Sequence, residues 1–111
     1  MMASVKEIGI SNFAEAMAKT VEKPLVLLFQ IPHEGPCDEA DSLFRQIAGE
    51  FNGEASFGTM DVGKNVILST NFSVTSVPTI LIFLRRGIAG QIRWIPSKTE
   101  LKHQIVEFLG R

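Results

Sequence analysis

Leu25-Val26-Leu27-Leu28-Phe29 and Thr79-Ile80-Leu81-Ile82-Phe83-Leu84 are apolar or nearly so without a break. Runs of that length predict strands covered on both faces. Between them, Ala40, Leu43, Phe44, Ile47, Ala48 and Phe51 recur at the spacing of one buried helix face. The stretch from Pro24 to Phe51 therefore reads as strand, turn, helix, and the rest of the chain extends that alternation. Val5 to Ile8 predicts a short first strand. Ser11 or Asn12 caps a helix to about Thr20, with Glu15 completing a capping box with Asn12 and with Phe13, Ala16 and Met17 on the buried side. Asn52-Gly53 marks a turn, Ala55 to Val62 a strand, and Val66 to Asn71 a short helix with Asn65 as its cap. Pro78 opens the second apolar strand, where a proline costs no ladder bond. Arg85-Arg86-Gly87 predicts a turn into a strand from Gln91 to about Ile95. Ser97 with Glu100 is a capping box for a last helix that turns Leu101, Ile105, Phe108 and Leu109 inward. The order β-α-β-α-β-α-β-β-α implies an α/β fold, a mixed sheet with helices on both faces.

Composition narrows the functional classes. At 111 residues, 45% hydrophobic and 21% charged, the chain has the size and make-up of one ordinary globular domain spanning 1–111. Its net charge of −1 offers no general attraction to nucleic acid or to an anionic membrane. Lys6 and Glu7 interrupt the N-terminus, which predicts no signal peptide, and no apolar run spans a bilayer. One cysteine cannot form an internal disulfide, which points to a reducing cytoplasm.

The turn His33-Glu34-Gly35-Pro36-Cys37 is the candidate site. A strand that feeds a helix through such a turn aims the helix's free N–H groups at whatever occupies it. Cys37 has two readings. A buried thiol is a small apolar filler, whereas an accessible thiol at a helix start is reactive. Glu34, Asp38, Glu39 and Asp41 make this end acidic, either as carboxylates placed by the helix dipole or as a surface that selects a basic partner. His33, Glu34, Cys37 and Asp38 do not space out as three or four converging ligands, so no metal is assigned. His33 and Cys37 would suit a nucleophile–base pair, but nothing else in the sequence supports hydrolysis.

Taken in order, Lys23-Pro24-Leu25-Val26, Gly35-Pro36-Cys37, Ser76-Val77-Pro78-Thr79 and Ser97-Lys98-Thr99-Glu100-Leu101 resemble the landmarks of thioredoxin. The resemblance runs from about Val5 to the C-terminus and implies the thioredoxin-like three-layer α/β/α sandwich with a mixed central sheet. The family's Trp-Cys-Gly-Pro-Cys reads His33-Glu34-Gly35-Pro36-Cys37 here, so Glu34 stands in the attacking position and Cys37 in the resolving one. The family's buried aspartate corresponds to Leu28 and its partner lysine to Thr59, so the proton relay of the resolving step has no counterpart. The resemblance further implies a cis bond before Pro78, beside a groove where an extended substrate chain pairs. That groove is either kept for a peptide, or the cis turn serves only to start the strand. Trp94 falls where the family has a glycine at the groove's border. It fills the groove, anchors a partner, or packs against the sheet. Arg85, Arg86 and Arg93 form a small basic edge, too little for a nucleic-acid footprint. The expected function is a protein- or peptide-binding or adaptor module that is not a competent dithiol-disulfide oxidoreductase. It would use His33, Glu34, Gly35, Pro36, Val77, Pro78 and Trp94, with no cofactor, no nucleic acid and no membrane. The alternative is a single-thiol redox protein, with Cys37 as its catalytic residue forming a mixed disulfide or a glutathione adduct.

Overall fold

The computed structural model describes residues 5–51, 53–93 and 97–109. Five strands form one sheet in the order β1-β3-β2-β4-β5: Val5–Glu7 (β1), Leu25–Gln30 (β2), Ser56–Asp61 (β3), Thr79–Leu84 (β4) and Gly87–Ile92 (β5). β2 lies at the centre, parallel to β3 and antiparallel to β4, and all six of its residues are buried. That position explains its unbroken apolar run, because neither face meets water.

Alternation along the strands divides the core in two. Val26 and Leu28 point to one face with Phe57, Ile80 and Ile82. There they meet Ala40, Phe44 and Ile47 of helix Gly35–Ala48 (α2) and Leu101 and Ile105 of helix Lys98–Phe108 (α4). Phe57 packs edge-on to Phe44, ring centroids 5.5 Å apart. Leu25, Leu27 and Phe29 point to the other face with Met60, Leu81 and Phe83. Helix Phe13–Lys19 (α1) covers that face with Phe13, Ala16 and Met17, and helix Val66–Asn71 (α3) with Leu68. The predicted three layers are present. No described helix is long and apolar enough to cross a membrane.

Three expected details differ. Asn12 precedes α1, but its side chain caps nothing there. Its Oδ1 accepts Gly9 N–H at 2.8 Å and its Nδ2 donates to Glu7 O at 3.0 Å, tying the loop back to β1. Asn65 likewise donates to Asp61 O rather than capping α3. The last strand begins at Gly87, four residues before the expected Gln91, and ends at Ile92; Ile95 lies outside the described residues. The β4–β5 loop is Arg85-Arg86 alone, with φ of 51° and 66°. Two positive-φ residues give the twist that a two-residue hairpin needs. Buried Thr20 holds this loop across the fold: its carbonyl accepts Arg85 N–H at 2.7 Å and its Oγ1 accepts Arg86 N–H at 2.8 Å. Gly90 is required for space, since a Cβ there would lie 2.5 Å from Phe108 Cε1. Phe108 lies over this strand and stays 37% exposed, less enclosed than its place on the apolar stripe implies. At the start of α4, Ser97 Oγ accepts Glu100 N–H, one half of the expected capping box, while Glu100 Oε1 accepts Gln104 Nε2.

Candidate functional site

The chain leaves β2 at Gln30 and enters α2 within five residues, so the turn projects from the C-terminal end of the central strand. Three backbone features shape it. His33 adopts a left-handed φ of 71°, and its N–H donates to Asp38 Oδ1 at 3.1 Å. Glu34 N–H donates to Ile31 O at 3.3 Å, and Asp38 N–H returns to Glu34 O at 3.0 Å. Asp38 thus clips the turn while sitting in the first turn of α2, where the helix dipole favours a carboxylate. Pro36 occupies the same first turn, where its missing N–H costs nothing. A Cβ added to Gly35 would touch nothing, so that position lies open.

Beneath the turn, Gln30 is a residue the pattern did not single out. It is only 7% exposed, and its Nε2 donates to Asp41 Oδ1 at 3.0 Å. Asp41 Oδ2 in turn accepts Arg45 Nε at 2.8 Å. Burial raises the Asp41 carboxyl's pKa, but the hydrogen bonds from Arg45 and Gln30 outweigh it and hold the carboxyl below its ordinary range. The network fastens the end of β2 to α2 and so fixes the base of the turn. Its sequence signals were a polar residue closing an apolar run and an acid–base pair four apart.

The predicted site residues fall into three groups. His33, Glu34 and Gly35 are exposed on the turn. Cys37 is 1% exposed and carries a free thiol facing the interior. Pro36, Val77 and Pro78 line an open groove of about 910 Å³ between α2, the Ser76–Pro78 bend and the start of α4. The Val77–Pro78 bond is cis, as the resemblance implies, and Thr79 Oγ1 donates to Ser76 O at 2.7 Å across the bend. Trp94 lies outside the described residues. The groove also brings in residues not named as candidates: Ser42, Leu43 and Gln46 on the α2 wall, and Arg93 and Lys98 opposite. Its walls differ in charge, with Asp38 and Glu39 on one and Arg93 and Lys98 on the other. Lys98 also pairs with Glu50 at 3.1 Å.

Leu28 is fully buried between Thr59 and Ile80 in the sheet, and Thr59 is 6% exposed. Neither Thr59 nor Ile80, its strand partners, carries an ionisable side chain. Among the described residues no three His, Cys, Asp or Glu side chains gather as a metal-ligand set.

The family model for thioredoxin matches residues 4–107. The chain belongs to the thioredoxin family. It is 31% identical to a thioredoxin of Haemophilus influenzae over 106 residues, covering 94% of this chain and 96% of that one. It is 32% identical to a thioredoxin of Staphylococcus haemolyticus over 82 residues, 74% of this chain and 75% of the relative. A chloroplastic M-type thioredoxin of Brassica napus is 27% identical over 95 residues; the match takes in 86% of this chain but about half, 54%, of that longer protein. The mixed sheet, the turn into α2 and the bend before β4 are the thioredoxin-family framework of this chain.

Proposed function

We propose that this thioredoxin-family chain is a binding or adaptor module that holds an extended protein or peptide segment in the groove beside Pro36 and Val77–Pro78, without dithiol exchange. Disulfide exchange within one chain needs an attacking thiolate and a second thiol to resolve the mixed disulfide, and this sequence has one cysteine. Glu34 accepts hydrogen bonds but cannot attack sulfur, and Leu28 and Thr59 relay no proton. One observation carries the reading: the sole thiol is buried while the groove lined by its neighbours Pro36 and Asp38 is open. Ser76 is exposed and Val77 half-buried at the groove, a place for an extended chain to lie in strand-like pairing.

A second reading, single-thiol redox chemistry at Cys37 through a mixed disulfide or glutathione adduct, is favoured by the position of Cys37 in the first turn of α2. Two variants separate the readings. Cys37→Ser removes the thiol, and Ser76→Arg fills the groove from an exposed position. Proteins captured by the tagged native chain are expected to survive Cys37→Ser and to be lost with Ser76→Arg. Loss with Cys37→Ser in a folded protein, with retention in Ser76→Arg, would favour the thiol.

A further inference from the structure

A second concavity, of about 290 Å³, lies along the β1 edge of the sheet on the α1 side, separate from the groove. Its floor is apolar, formed by Ile8 and Leu25, with Ala16 of α1 beside them. Its rim carries three lysines from three pieces of chain: Lys6 of β1, Lys19 at the end of α1, and Lys23 in the connection to β2. Lys23 N–H donates to Lys19 O at 3.2 Å, which sets these two one helical turn apart. Among the described residues Glu15 is the one carboxylate lining the cleft, 3.4 Å from Lys19 Nζ, so it answers one of three charges. Among the described residues Lys6 and Lys23 have no carboxylate within ion-pair distance.

Two unanswered ammonium groups above an apolar floor complement a molecule with an apolar body and an anionic end. The lysine stems extend the apolar wall while their heads stay at the rim. The volume sits at the lower end of the roughly 300–1,000 Å³ typical of small-molecule sites. That limits the ligand to a single short chain.

We propose that this cleft binds a small amphipathic carboxylate, its chain over Ile8, Leu25 and Ala16 and its head between Lys6 and Lys23. The site does not depend on the groove or on Cys37. The test titrates the full chain at low ionic strength with decanoate, decan-1-ol and acetate, followed by amide and methyl NMR shifts. Decanoate is expected to saturate with the largest changes at Lys6, Ile8, Ala16 and Leu25. Lys6→Gln with Lys23→Gln is expected to weaken it about tenfold or more, the loss of a charge-assisted contact. Glu15→Gln, which frees Lys19, is expected to tighten it a few-fold. Binding of decan-1-ol as tight as that of decanoate would overturn the proposal, as would equal shifts from acetate. So would changes centred on Ser76–Pro78, or no saturable binding of decanoate.

Discussion

Replacing Leu28 with aspartate puts a carboxyl into a site that this chain has built as core. Leu28 is fully buried in the layer with Phe44 and Ile47, flanked in the sheet by Thr59 and Ile80. Two penalties combine. Removing a leucine from a close-packed core costs about 2–5 kcal/mol. A fully buried, unpaired carboxyl has its pKa raised by roughly 3 units, and at about 1.36 kcal/mol per unit this adds about 4 kcal/mol at neutral pH. The total, about 6–9 kcal/mol, approaches or exceeds the whole stability of a domain this size, about 5–15 kcal/mol. The charge penalty depends on pH in a definite direction. Because the folded pKa lies above the unfolded value of about 3.9, the penalty is absent in acid and grows until pH passes the folded pKa. Leu28→Asp should therefore be about 2–3 kcal/mol less stable at pH 7 than at pH 5, relative to the parent at each pH. Urea unfolding followed by circular dichroism measures this. Adding Thr59→Lys sets an ammonium beside the new carboxyl and should recover part of the loss, with a reduced pH dependence. A pH-independent loss under about 2 kcal/mol would refute the reasoning, because it would mean that position 28 is already hydrated or polar.

Three further outcomes follow from single contacts. Thr20→Val leaves Arg86 N–H without the Oγ1 acceptor at 2.8 Å; it should cost about 1–3 kcal/mol and speed amide exchange at Arg86, and unchanged exchange would contradict this. Gly90→Ala forces a Cβ against the Phe108 ring, 2.5 Å away at Cε1; the expected cost is about 1–3 kcal/mol, and Phe108→Ala in the same chain should make the pair less than additive. Glu50 is held below its ordinary value of 4.5 by hydrogen bonds from Lys102 and Lys98, so its contribution is present above that pH and fades as pH falls through the lower folded value. Glu50→Gln should flatten the acid limb of the stability curve, and NMR should place the Glu50 midpoint below 4.5.

The buried framework was legible because burial on two faces leaves an unmistakable pattern. β4 and α3 begin and end where the apolar run and the Asn65 boundary put them. β5 was misplaced because Gly87-Ile88-Ala89-Gly90 carries little strand preference. It is an edge strand held by pairing to β4, with a register shift at Ile82/Phe83. Its turn was legible as a turn, but two arginines at positive φ give no local signal, since Thr20 supports them from 66 residues away. Asn12 misled for a similar reason: its side chain had a better partner behind it than ahead. At the site, Pro36, Val77 and Pro78 were found through the resemblance. The groove's second wall was not assembled, because Arg93 and Lys98 approach α2 only once the sheet has folded. The Gln30–Asp41 bond, spanning 11 residues, was hidden in the same way.

Whether Cys37 is packing or chemistry is decided most directly by its alkylation rate in the native protein against the urea-unfolded chain, across pH. With the thiol 1% exposed, the native rate should be lower by at least about a hundredfold at every pH, the factor set by roughly 3 kcal/mol of local opening. A native rate within a few-fold of the unfolded one would make Cys37 accessible and reactive. It would contradict the reading of this chain as a binding module without thiol chemistry.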